Sequence, residues 1–163
     1  MPENEPQGCL FAILELFGIT PSTPSGLVAP SLPYRRKDFL LSRAERSFFG
    51  VLQQVVADQY LVFAMVRLAD LVYIARGTEK RQSHFNRIQS KHIDFVLCDK
   101  DAVRPLLAIE LDDSSHKRND RRDRDSFVDS ALQAAGLPLL RVPARKGYNP
   151  DDLRQSIGDA IGA

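Results

Sequence analysis

The sequence predicts one α/β domain in the order helix, three strands, helix, strand, helix, behind a proline-rich N-terminal segment. Three observations carry that expectation. Two apolar runs of strand length, IDFVLC (Ile93–Cys98) and PLLAIEL (Pro105–Leu111), flank a turn-rich DKDAVR connector of hairpin length. Two longer stretches repeat apolar residues at helical spacing and carry helix end signals. A short apolar run, PLLRV (Pro138–Val142), stops at Pro143. The 163 residues, 44% hydrophobic and 26% charged, suit one ordinary globular domain and exclude the disordered, collagenous and disulfide-scaffold classes.

Residues 1–41 read as a tail or linker. Six of the ten prolines fall in Met1–Pro33, and TPSTPSG followed by PSLP continues neither a helix nor a central strand. Within it CLFAILELFGI (Cys9–Ile19) carries Glu15 and is about half the roughly 20 residues that cross a bilayer. No transmembrane span is expected; this apolar segment packs on its own domain, on a partner or on a membrane surface. The first base in the chain is Arg35, so the positively charged start of a secretory signal is missing. Cys9 and Cys98 form neither a CxxC pair nor a zinc spacing, and together these features predict a reducing, cytoplasmic setting.

The folded part is expected from Ser42 onward. Ser42 and Glu45 have capping-box spacing, and Phe48, Phe49, Leu52, Val55 and Val56 recur at helical intervals, so a helix runs to about Asp58. Tyr60–Val66, aromatic and β-branched, reads as a strand, whereas Leu71–Ala75 fits either a strand or a short helix. Arg76–His92 is polar, with five bases against Glu79 alone, and is predicted to be a loop or insertion. Beyond the hairpin, Phe127, Val128, Ala131, Leu132 and Ala135 mark a second helix that Gly136 caps. Asn149 and Pro150 supply the N-cap and first residue of a last helix through Ile161.

Carboxylates stand where strands least tolerate them. Asp94 interrupts an apolar strand, and Glu110 and Asp112 end the next one, on one face about 7 Å apart. Two arrangements follow from these residues alone. If the hairpin brings Asp94 to the pair, three carboxylates form a hard-oxygen site suited to Mg²⁺ or Mn²⁺. Otherwise Asp94 and Glu110 pair with a base such as Arg141, and Asp112–Ser115 is a polar turn before a helix.

The αβββαβ order, with Asp94 on the second strand and an E-x-D end to the third, resembles the PD-(D/E)xK, or restriction-endonuclease-like, superfamily over Ser42 to about Ile161. HIDFVLCDKDAVRPLLAIELDDSSH and RDSFVDSALQAAGLPLLRV resemble an uncharacterised bacterial domain family placed in that clan. They also resemble the very short patch repair endonucleases, whose relatives carry E-x-D-G-x-x-H. The resemblance implies a mixed central sheet flanked by helices, a divalent metal on Asp94, Glu110 and Asp112, and proton transfer or a phosphate contact by His116. Asp112 occupies the usual Lys position and Asp113 that of the Gly, which leaves Lys91 and Lys117 as candidate replacements for the Lys. Glu45 resembles an extra acid that many of these nucleases add, with the capping box as its other reading. Asp125 matches an Asp of the related families, or pairs with a neighbouring Arg.

A net charge of +1 provides no global field toward nucleic acid, so binding must come from local clusters. The segment before Asp94 is the best of them, with Arg81, Arg87 and Lys91 for phosphates and Phe85 for stacking; Lys117 adds a base beyond the acids. Walker, GxGxxG, GxSxG and HExxH patterns do not occur. The expected activity is metal-dependent phosphodiester hydrolysis of nucleic acid, with DNA the favoured substrate. The alternative is a catalytically inactive nucleic-acid-binding or adaptor module on the same fold.

Overall fold

The computed structural model describes residues 32–112 and 119–162, and of 119–125 the backbone alone. The chain divides after Asp38 into two compact units, and every helix and strand below lies in the second. These are α1 (Arg43–Val56), β1 (Leu61–Arg67), α2 (Leu68–Leu71), α3 (Arg81–Gln89), β2 (His92–Cys98), β3 (Pro105–Asp112), α4 (Asn119–Ala135), β4 (Leu139–Pro143) and α5 (Pro150–Gly162). The order is the expected one with two short helices added between β1 and β2. No helix among the described residues is long and apolar enough to cross a membrane.

The four strands form one mixed sheet in sequence order. β1 pairs antiparallel with β2, and β2 antiparallel with β3. The hairpin therefore forms with the strands the sequence indicates. β4 then joins β3 in parallel, Glu110 opposite Arg141 and Asp112 opposite Pro143, a geometry that requires the α4 crossover between them. The ends of β3 and β4 and the start of β2 consequently meet at one edge of the sheet.

Helices cover both faces. On one, Phe48, Leu52, Val55 and Val56 of α1 and Leu153 and Ile157 of α5 pack on Phe95, Leu97, Leu107 and Ile109. On the other, Val128 and Leu132 of α4, Leu68 of α2 and Ile88 of α3 pack on Val96, Cys98 and Ala108. Local signals set the helix limits. Ser42 and Glu45 close a complete capping box on α1, and Asn149 Oδ1 accepts from the Asp151 amide at the start of α5 (2.9 Å). Gly136, at φ 69°, ends α4 in a Schellman turn: its amide donates to Gln133 and that of Leu137 to Leu132.

The Arg76–His92 expectation needs correction, because half of that stretch is α3. Its sequence RQSHFNRIQ buries only Ile88, so a single apolar contact anchors it and no periodicity betrays it. Leu71–Ala75 resolves into the end of the four-residue α2 followed by irregular chain.

Candidate active site

At the shared edge of the sheet, the pairing of β2 with β3 stops where the acids begin. The last paired residues of the β2–β3 ladder on this side are Phe95 and Ile109. Inward packing changes side at the same level: Phe95 belongs to the α1–α5 core and Ile93 to the α4 core, a break in the strand's period of two. In β1, Met65 takes φ 55° between residues paired with Phe95 and Ile93, which is left-handed backbone within a strand. Asp94 sits at this break. Its Oδ2 accepts from the Leu111 amide at 2.8 Å, so a side chain replaces the carbonyl that a continued ladder would offer. The β2 acid thereby ends against the backbone between Glu110 and Asp112.

Glu110 and Asp112 meet one guanidinium. Nη1 of Arg141 lies 3.2 Å from Glu110 Oε2 and 2.8 Å from Asp112 Oδ1, while Nη2 and Nε reach Asp129 Oδ1 of α4 at 2.7 and 3.2 Å. The parallel β3–β4 register places Arg141 beside Glu110, and α4 lies over that same face. With 24% of the Arg141 side chain and 16% of the Glu110 side chain exposed, the pair is largely withdrawn from water. Burial alone lowers the guanidinium pKa, but the Asp129 hydrogen bond and the charges of Glu110, Asp112 and Asp129 outweigh it and raise the pKa further. Among the described residues, the Arg141 guanidinium serves three carboxylates at once.

The other predicted site residues are dispersed. The Glu45 carboxylate accepts from the Ser42 amide (2.6 Å), on a helix packed against the opposite face from Glu110 and Asp112. Asp125 falls in α4 where the backbone alone is described, and His116 and Lys117 lie outside the described residues. Arg81 donates to the Ile74 carbonyl (2.8 Å), tying α3 to the preceding segment. Phe85 is 42% exposed. The Arg87 guanidinium lies 4.1 Å and the Lys91 ammonium 5.3 Å from the centroid of the Phe127 ring, so both bases are gathered on one aromatic side chain of α4. Cys98 is buried, and burial, with Asp99 beside it, raises its thiol pKa; it is not poised as a nucleophile.

The model of a family described as "Protein of unknown function (DUF2726)" matches residues 37–161. The chain belongs to the DUF2726 family. No curated protein and no solved structure matches it.

The DUF2726 match takes in the whole sheet, both helical layers and the carboxylate cluster. Among the described residues of this DUF2726 chain, no group of three or more His, Cys, Asp or Glu side chains is arranged to hold a metal ion. The described acids of the cluster, Asp94, Glu110, Asp112 and Asp129, all carry carboxylate oxygens, the donor type that hard cations take. Sequence reading offered Arg141 as a partner for either acid but passed over Asp129. The available signal was its place in α4 directly after the buried Val128, at the margin of the apolar stripe. Tyr73, 92% exposed, lies in a stretch whose sequence fitted no single element.

Proposed function

We propose that this DUF2726 domain hydrolyses phosphodiester bonds of nucleic acid, DNA being the favoured substrate, with Mg²⁺ or Mn²⁺ on Asp94, Glu110 and Asp112. We further propose that its finer kinship is with the PD-(D/E)xK superfamily and its very short patch repair branch. The observation that carries this reading is the Asp94 hydrogen bond to the Leu111 amide, which draws the acid of β2 to the backbone that separates Glu110 from Asp112. A bound divalent ion supplies Lewis-acid polarisation of a phosphoryl oxygen. The chain's own groups do the rest. Asp94, Glu110 and Asp112 supply oxygen ligands, His116 moves a proton or contacts phosphate, and Arg141 brings positive charge beside Asp112, where the related nucleases have Lys.

Arg141 also favours a second reading. A guanidinium bonded to both Glu110 and Asp112 gives the acids a cationic partner without metal, as suits a binding or adaptor module whose catalysis is lost. One assay separates the two: supercoiled plasmid and labelled single-stranded DNA are incubated with Mg²⁺, Mn²⁺ or EDTA and wild type, Asp94→Ala or Glu110→Ala. Nicking or cleavage that needs metal and vanishes in both variants is the expected result. Full activity in both variants refutes this mechanism, and binding without cleavage under every metal selects the module.

A further inference from the structure

A cleft of about 600 Å³ opens between α3, α4 and the Val72–Thr78 segment. It lies on the opposite flank of α4 from the carboxylate cluster: Val128 and Leu132 face the core, Asp129 turns to Arg141, and Phe127, Ser130 and Ala131 line the cleft. Its size is that of a small-ligand site. Two features define what it can accept. Tyr73, at 92% exposure, presents a ring to solvent at the rim, and the guanidinium of Arg87 lies over the Phe127 ring within the lining. No described lining residue is acidic, while His84 and Arg87 are basic. Nearby Lys80 and Lys91 add further positive charge.

We propose that this cleft binds a segment of single-stranded nucleic acid, with a base stacked on Tyr73 and the backbone phosphates met by Arg87 and its neighbours. The nucleic-acid reading above supplies the class of ligand, and the cleft supplies the strandedness. Bases inside a duplex have their faces covered by stacking, so an exposed tyrosine ring in a concave site rewards only an unstacked base. The cations account for the phosphates, and the described lining sets no acid against them. This moves the stacking role from Phe85, which is absent from the described lining, to Tyr73.

The test measures fluorescence anisotropy of a labelled oligo-dT strand and of a labelled duplex of equal length with the whole chain in EDTA. The single strand is expected to bind at least about tenfold tighter, and Tyr73→Ala and Arg87→Ala each to weaken it about tenfold. Tyr73 is too exposed for its truncation to threaten the fold, and a thermal melt by circular dichroism checks this. Arg87→Lys keeps the charge without the planar stack and is expected to fall between wild type and Arg87→Ala. Duplex binding as tight as single-strand binding overturns the proposal. Unchanged single-strand affinity in Tyr73→Ala and Arg87→Ala also overturns it and hands the cleft to another occupant, such as a peptide. A preserved single-strand preference without metal-dependent cleavage removes the nuclease reading and leaves the cleft. Cleavage with unaltered affinity in Tyr73→Ala does the reverse.

Discussion

Arg141 decides how the carboxylate cluster behaves in the resting chain. Its guanidinium makes hydrogen bonds to Glu110, Asp112 and Asp129, joining two neighbouring strands and the helix that crosses between them. Asp112 and Asp129 are each about half exposed, so solvent screening discounts their pairs. Glu110 is the member that suffers most from loss of the cation, because its carboxylate is largely covered and stands beside two like charges. Arg141→Ala is therefore expected to destabilise the domain by about 2 kcal/mol, read as a lower urea midpoint at unchanged slope. The same variant probes the cation site without any activity measurement. If the acids accept Mg²⁺, millimolar Mg²⁺ raises the melting temperature of Arg141→Ala more than that of wild type, because binding to the folded state alone is stabilising. An equal shift in both proteins argues that the acids are built for arginine and not for a metal.

The β2–β3 hairpin shows how an element can be legible while its details are not. Its strands were readable because IDFVLC and PLLAIEL are apolar enough to be buried on both faces, and the intervening polar residues allow only a turn. The turn's backbone was not readable. Asp99 Oδ1 accepts from the Ala102 amide at 2.7 Å, a bond that, with the Arg104 and Val103 amides and the Arg104 charge, lowers the Asp99 pKa against the opposing effect of burial. Val103 then takes φ 55°, a conformation that a β-branched side chain adopts only under strain. Nothing in the run DKDAVR marks Val103, and not another residue, for that position. Val103→Gly is expected to stabilise the domain by about 1 kcal/mol, the relieved strain exceeding glycine's entropy cost, with a higher denaturation midpoint as the readout. A lower midpoint shows that the Val103 side chain contributes packing worth more than the strain. α3 failed to be legible for the opposite reason: its one buried side chain, Ile88, leaves no pattern, and the helix is held by the Arg81 bond to Ile74 and by the Phe127 contacts of Arg87.

At the scale of the whole molecule, composition describes the domain well and its electrostatics poorly. A net charge of +1 conceals, among the described residues, a cluster of carboxylates around Arg141 on one flank of α4 and a cleft lined by His84 and Arg87 on the other. The acids were legible because a carboxylate inside an apolar strand is costly and conspicuous. The Glu110–Arg141 pair was legible as one of two arrangements; the Arg141 bonds to Asp112 and Asp129 were not, since they depend on the parallel β3–β4 register and on which side of α4 meets β4. The cleft was legible only as a count of bases; its ring came from Tyr73, in a segment without pattern. This polarity leads to a prediction that net charge would not suggest. If the cleft binds a single strand as proposed, the bases available to it are Arg87, Lys91, Lys80 and Arg76, while Arg81 is engaged with the Ile74 carbonyl. With about four phosphates neutralised and a slope of about −0.7 per contact, log affinity should fall against log salt with a slope near −3. Arg87→Ala should flatten that slope by about 0.7, whereas Tyr73→Ala should lower the affinity at every salt concentration and leave the slope unchanged, because stacking releases no counterions. A titration from low to moderate salt measures both. If Tyr73→Ala changes the slope as much as Arg87→Ala does, the ring acts by holding the cations in place, and the division of the cleft into a stacking surface and a phosphate-binding surface fails.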